Sequence, residues 1–336
     1  MSKTAHRAPL SRRRFIQTTL AAGVAAPALL RAGSAFAAYP ERPVKIVVAN
    51  SPGGPSDLTA RVVAAALGET TGKTFIVENR GGAGGNIGMG YVAHSDPDGY
   101  TLLLATTAFS VNPGLYNHLP FNPLKDFVAV SDLAGAPNLF AVQKDSPAKT
   151  MKEFVALARA NPAKYNVSVP PIGTTPQLQA TLLKSRDNLP KLEEVVFKGG
   201  GDALTALLSG TVQLASNSLG PCSPHMKAGT IRALGICSAE RWPDFPDVPT
   251  MVEQGYKDFV FATDMALLAP AKAPPDIVKW LEAATLKTMS TPQMKEKLFK
   301  SGFLVRPKGA KDCWARMTHE MDVYKGIIDG AHIPKL

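Results

Sequence analysis

Apolar and polar positions alternate along this chain in a repeating rhythm of short apolar runs and longer amphipathic stretches. Val44-Lys45-Ile46-Val47-Val48-Ala49 reads as a buried strand, and the pattern from Ser56 to Glu69 repeats with helical period. A second strand is predicted over 73–78, a short helix over 85–95, and a third strand over 101–105. Strands of this length alternating with helices argue for a parallel, doubly wound sheet. Residues 108–124, rich in Pro, Asn and Gly, read as an excursion from that rhythm. Two strands then follow, at 127–134 and 139–143. Thr150, with Glu153 three residues on, predicts a helix start with a capping box.

The rhythm restarts after 150. Helix 150–160 ends at Asn161-Pro162, and strands at 165–169, 195–197 and 213–217 each run into a small-residue loop and a helix. Strand 231–237 closes this set. The apolar run from Phe259 to Ala269 returns as a strand, and helices over 275–289, 291–300 and 310–329 complete the chain. One strand leaves the first half near 139–143 and one returns near 264, which predicts two α/β domains joined by two crossings. The expected limits are 38–139 plus 264–336 for domain I and 140–263 for domain II. No internal repeat is visible in the residues themselves.

The first 37 residues stand outside this rhythm. Ser11-Arg12-Arg13-Arg14-Phe15-Ile16-Gln17, an apolar stretch from Leu20 to Leu30 and then Ala35-Phe36-Ala37 have the form of a twin-arginine signal peptide with its cleavage site. The apolar stretch is too short to span a bilayer. The mature chain is therefore expected to be soluble and periplasmic. This changes the meaning of the charge: the formal +10 includes six Lys or Arg and no Asp or Glu from 1–37, so the remainder carries about +4 and gives little reason to invoke nucleic acid. Cys222, Cys237 and Cys313 lack metal-site spacing and are expected to be buried thiols, a Cys222–Cys237 disulfide in an oxidising compartment being the alternative.

Candidate chemistry concentrates where strands meet helices. In Ser51-Pro52-Gly53-Gly54-Pro55-Ser56-Asp57, two glycines turn a strand into a helix whose first N–H groups are free to meet an anion. An ordinary capped turn has the same residues. The cluster Gly81 to Gly90 does not satisfy GxGxxG because position 87 is Ile87. Gly84, Gly88 and Gly90 fit GxxxGxG, but after the second strand and not the first, so close helix–sheet packing is the expected role and no cofactor is implied. No GxSxG, HExxH or paired-histidine spacing is present, and no metal site is expected. Asp264 interrupts an apolar strand, where a charge needs a partner or a wet cleft; a strand edge and a cleft wall both fit.

Taken in order, Tyr39-Pro40 to Val48, Pro52-Gly53-Gly54 with Asp57, Glu78-Asn79-Arg80-Gly81-Gly82-Ala83-Gly84-Gly85-Asn86-Ile87-Gly88, Pro97-Asp98-Gly99-Tyr100, Asn112-Pro113, Lys198-Gly199, Lys227-Ala228-Gly229 and Pro246-Asp247-Val248-Pro249-Thr250 resemble the Bug-type periplasmic receptors of tripartite tricarboxylate transporters. The resemblance covers essentially the whole chain after the signal. It implies a Venus-flytrap periplasmic-binding-protein fold without catalysis or cofactor. A small carboxylate held in the interdomain cleft is implied as ligand, membrane transporter subunits as partners, and a monomer as the working unit. The ligand-binding residues it implies are Ser51, Pro52, Gly53, Gly54, Asp57, Thr107, Gly173, Thr174, Thr175, Gln177, Gly199, Ser216, Asn217 and Asp264. Gln177 stands where the family commonly has histidine, Phe197 where tyrosine is usual, Ser216 where aspartate is frequent, and Asp264 where a neutral side chain is common. The shift of a carboxylate from 216 to 264 suggests a ligand whose donor group Asp264 accepts. An exported α/β enzyme using the same cleft, or a ligand sensor feeding a signalling system, are the alternatives.

Overall fold

The computed structural model describes residues 39–257, 259–300 and 302–336; the predicted signal segment lies outside the described residues. In the first half, β1 (Val44–Val48), β2 (Phe75–Asn79) and β3 (Thr101–Thr106) are joined through α1 (Pro55–Thr71) and α2 (Asn86–Ala93). Then come α3 (Ala108–Leu115) and β4 (Phe127–Gln143), and α4 (Met151–Ala160) leads to the second half. There β5 (Asn166–Val169), α5 (Thr175–Arg186), β6 (Glu193–Val196), α6 (Gly200–Leu208), β7 (Leu214–Ser218), α7 (Leu219–Lys227) and β8 (Ile231–Cys237) repeat the order. The chain returns through β9 (Ala262–Pro270), α8 (Pro275–Met289), α9 (Pro292–Lys300), β10 (Leu304–Val305) and α10 (Ala310–Gly330).

β1 pairs in parallel with β2 and β3, and β5 in parallel with β6 and β7. The sheet order is β2-β1-β3-β9-β4-β7-β5-β6, with β8 and β10 also on β4. The two crossing strands thus occupy its middle. Phe127 to Pro137 pair with β9, whereas Asn138 to Gln143 pair with β7 and β8. The two predicted strands at 127–134 and 139–143 are one continuous 17-residue strand. Register shifts between Ala129 and Ser131 and between Asp132 and Ala134 bend it without breaking it. Pro137 stands at the change of partners, where a missing N–H costs the ladder little.

The 108–124 excursion also contains structure that composition hid. α3 carries Pro113 inside a helix whose Phe109, Val111, Asn112 and Leu115 are fully buried. Tertiary packing outweighs the poor helix propensity of Asn, Pro and Gly here. The capping box at Thr150 is present with one change. Thr150 Oγ1 accepts from Glu153 N (3.2 Å), but Glu153 Oε2 accepts from Lys149 N (2.6 Å), one residue before the cap.

Met89, Leu103, Phe109 and Phe127 belong to a core that includes Cys313, Met317 and Met321 of α10. Phe140, Phe154, Val167 and Leu178 belong to a second core that includes Val111 and Leu115 of α3 and Tyr324 and Ile328 of α10. One closing helix therefore anchors in both cores, each fully buried aliphatic side chain stabilising by roughly 1.5–3 kcal/mol. The three cysteines are buried and unpaired, and burial pushes the Cys222 thiol up to about 12. In the glycine cluster, a Cβ on Gly88 would lie 2.6 Å from the Arg80 carbonyl and 2.9 Å from Ala49 Cα. That spacing lets α2 sit directly on the C-terminal ends of β1 and β2. Among the described residues no helix is long and apolar enough to cross a membrane.

Candidate functional site

Two loops built to the same plan lead into α1 and α5. Gly53 (φ +80°) and Gly173 (φ +88°) both occupy the left-handed region that favours glycine. Each precedes an extended N-cap, Gly54 and Thr174. In the first loop the Gly53 N–H donates to Asp57 Oδ2 (2.9 Å). In the second the Gly173 N–H donates to Gln177 Oε1 (3.3 Å). The acceptor is four residues downstream in both.

The support one turn further along each helix also matches in position. Arg61 Nε donates to Asp57 Oδ2 (3.2 Å) and Arg61 Nη2 to Asn79 Oδ1 (3.2 Å) on the edge strand β2. Gln177 Nε2 donates to Thr181 Oγ1 (2.8 Å), and Thr181 Oγ1 donates to Glu194 Oε2 (2.8 Å) on the edge strand β6. Burial alone would raise the Asp57 carboxyl. The Gly53 N–H, Arg61 and Asn79 outweigh it and hold the carboxyl below its ordinary range.

The loops differ in exposure. Ser51, Pro52 and Gly53 are exposed and Gly54 half-buried, whereas Gly173 and Thr175 are buried and Thr174 half-buried. A Cβ on Gly173 would lie 3.2 Å from Leu115 Cδ2 and 3.3 Å from Asn112 Oδ1. The second loop thus packs against α3 of the first half. Asn112 Nδ2 donates to Gly84 O (3.0 Å) and Asn86 Oδ1 (2.7 Å), and Asn112 Oδ1 is buried without a hydrogen-bond partner. Gly81, in turn, places its Cβ direction 3.2 Å from Ser51 N. Contacts therefore run from Gly173 through Asn112 to Gly84 and Asn86, and separately from Gly81 to Ser51.

A second link between the halves is the Ala262 carbonyl at the start of β9. It accepts from Thr107 Oγ1 (3.2 Å) and from Thr175 Oγ1 (3.0 Å). Thr107 Oγ1 also accepts from Asp264 N (2.8 Å). The helix starts after β3 and β5 are thereby tied to one point on the returning strand.

The remaining predicted residues brace these loops. Ser216 is fully buried; its Oγ donates to Pro176 O (2.5 Å) and accepts from Gln179 Nε2 (2.7 Å). Asn217 Nδ2 donates to Gly200 O (2.7 Å) and Asn217 Oδ1 accepts from Ser218 N (2.9 Å). Gly199 caps α6 in extended conformation, and a Cβ there would meet nothing within 4 Å.

Asp264 has its carboxylate against Gly135, where a Cβ would come within 2.0 Å of Oδ1. Its Oδ2 lies 3.9 Å from Arg316 Nη1. Arg316 is already engaged: Nε holds Asp132 (3.2 Å to each oxygen) and Nη1 holds Glu320 (2.6 Å). Burial, with the Glu320 and Asp132 charges, pushes the Asp264 carboxyl up to about 6 against the pull of Arg316 and Arg306. Among the described contacts, the carboxylate faces α10 and β4 and neither loop. Together with Thr107, Ser110 and Arg316 it lines a narrow crevice at the end of β3.

Asn86 and Asn112 are not among the predicted ligand-binding residues. Both lie in stretches that carry the family resemblance, Asn112 inside the 108–124 excursion. Among the described residues no group of three or more His, Cys, Asp or Glu is placed to hold a metal ion.

The family profile described as tripartite tricarboxylate transporter family receptor matches residues 59–332. The protein BugT of Bordetella pertussis is 34% identical over 266 residues, covering 79% of this chain and 78% of its own. A protein from R. palustris solved with adipate matches with a TM-score of 0.82 and 30% identity, covering 89% of this chain and 100% of its own. The periplasmic binding protein BugD matches with a TM-score of 0.81 at 30% identity, covering 89% and 100%. MatC from Rhodopseudomonas palustris with bound malate gives 0.79 at 30% identity, covering 86% and 100%.

Proposed function

The chain belongs to the tripartite tricarboxylate transporter receptor family, and on that premise we propose how its own residues grip a ligand. It is a periplasmic solute-binding receptor that captures a small carboxylate for a tripartite transporter, a reading supported by the family match and by similar structures that hold adipate and malate. In our reading the carboxylate lies between Ser51–Gly54 and Gly173–Thr175, taken by the free N–H groups at the starts of α1 and α5. Gly199 opens a third strand-end toward the same space. Asp57, Gln177, Ser216 and Asn217 hold these loops from behind, and Thr107 with Asp264 belongs to the hinge that carries them.

The observation that carries this assignment is the pair of matching loops before α1 and α5, each with a left-handed glycine braced by the side chain four residues downstream. Two helix starts of the same build, one from each half, offer opposed donors to one anion, and closure about the crossing strands completes the grip. The moving bodies are proposed as 38–139 plus 264–336 and 140–263, working as a monomer, without turnover of the ligand. Export by the twin-arginine route is part of the same proposal and rests on Arg12-Arg13-Arg14 and the following residues.

The test is a thermal-shift panel of small carboxylates with the purified protein, followed by assay of the recovered acid. A ligand present at a hundred times its Kd should stabilise by about 2.7 kcal/mol, and the acid should be recovered unchanged. Gly173→Ala and Gly54→Val should weaken that shift. A carboxylate-independent melting temperature across the panel would overturn the assignment.

A further inference from the structure

The two loops share a backbone plan but not a surface, and the difference points to a class of ligand. The register pairs Val48 of β1 with Asn79 of β2, and Val169 of β5 with Val196 of β6. Asn79 and Val196 are therefore counterparts at the ends of the two edge strands. Asn79 is polar and engaged, donating to Asn50 O (3.2 Å) and accepting from Arg61. Val196 is an aliphatic side chain left 49% exposed.

Ile172, next to Gly173, is 42% exposed. Leu58 and Ile87, at the starts of α1 and α2, are 57% and 56% exposed. Ile87 meets the Gly82 backbone one residue from the contact between Gly81 and Ser51. Four large aliphatic side chains thus stand open within a few residues of the strand-end loops, on both halves.

Charge does not balance them on the second loop. Pro171-Ile172-Gly173-Thr174-Thr175-Pro176 contains no ionisable residue, and the Gln177 amide is turned inward to Gly173, Thr181 and Glu194. The Gly173 and Thr174 N–H groups are taken by Gln177 and by the Pro171 carbonyl, so what this loop presents is the Ile172 and Thr175 N–H groups beside aliphatic carbon. The buried, unpartnered Asn112 Oδ1 points toward Gly173 from the other half and marks one polar position in that apolar setting.

We propose that the ligand is a carboxylate with an unhydroxylated, apolar body, its head at the helix starts and its body on Ile172 and Val196. This deepens the carboxylate-receptor assignment and rests on it. A hydroxyl laid against Ile172 or Val196 would give up water without gaining a partner, which is unfavourable. A methylene there leaves water favourably, by about fourfold in affinity for each one buried.

The experiment is isothermal titration of the full chain with butanoate, hexanoate and adipate, alongside succinate paired with malate and tartrate. Affinity should climb about fourfold per methylene along the part of the unbranched series that fits, and succinate should bind more tightly than malate. Val196→Asn, which installs the counterpart residue of the first half at an exposed position, and Ile172→Asn should flatten that climb while butanoate still binds. Malate or tartrate binding more tightly than succinate overturns the proposal and leaves the carboxylate receptor standing, as does a climb unchanged in both variants. Failure of all six acids to bind overturns the receptor assignment and this inference with it.

Discussion

The loops before α1 and α5 show how one backbone solution can be held in two chemical ways. Each has a left-handed glycine whose N–H is taken by a side chain at the third helical position. In the first the acceptor is a carboxylate, so the loop carries charge, needs Arg61 as a partner, and stays exposed. In the second the acceptor is an amide, its partners are Thr181 and Glu194, and the loop is packed beneath α3. A charged brace is stronger but sensitive to acid; a neutral brace relies on packing and tolerates pH.

The largest test of that contrast changes the two glycines. Gly173→Ala combines a strained left-handed backbone with crowding against Leu115 and Asn112, and should cost about 3 kcal/mol. Gly53→Ala meets nothing within 4 Å and should cost about 1 kcal/mol from backbone strain alone. Urea denaturation of the two variants measures the difference, and equal costs would break the comparison.

Next comes removal of the braces. Asp57→Ala strips a buried carboxylate from an N–H and a guanidinium and should cost about 2 kcal/mol, against about 1 kcal/mol for Gln177→Ala. The first loss should also depend on pH. Because the folded Asp57 carboxyl sits below its ordinary 3.8, its contribution is present above that value and fades as pH falls through the lower folded one. The gap between parent and Asp57→Asn should therefore close in acid, while Gln177→Ala keeps a constant deficit.

Asp264 should behave with the opposite sign. Its carboxyl is raised from 3.8 to about 6, so its ionisation costs stability above pH 6, the cost building up between about pH 4 and 6 and absent below. Asp264→Asn should be more stable than the parent by up to about 3 kcal/mol at pH 7.5 and equal to it near pH 4, read as melting temperature against pH. The smallest effect is expected at Gly199→Ala, within about 0.5 kcal/mol, because its backbone is extended and its Cβ direction is open.

Most of the fold was legible because its strands and helices carry strong periods. The elements over 44–105 and 165–237 fell within a few residues of their predicted ends. α3 was hidden because Asn112, Pro113 and Gly114 obey packing and not propensity. The continuity of β4 was hidden because Gly135 and Pro137 look like punctuation until β9 is laid beside them. At the site, the glycines and Asp57 could be singled out from residue type and position. The equivalence of Asp57 with Gln177, and of Asn79 with Val196, could not, since it exists only once the strands are in register. Ser216 shows the converse. Its place in the chain suggested the ligand, but its hydroxyl is spent inside the protein on Pro176 and Gln179.

The swapped crossing strands also set an order of assembly. The first half of the sheet has β9 between β3 and β4, so one of its interior strands is supplied by residues 262–270. During synthesis, β1, β2 and β3 emerge long before that strand exists, and β3 has an open edge until it arrives. The sheet of the second half needs only the end of β4, already made, although its core also takes Tyr324 and Ile328 of the closing helix. That sheet can therefore pair first and act as the template on which the earlier half closes.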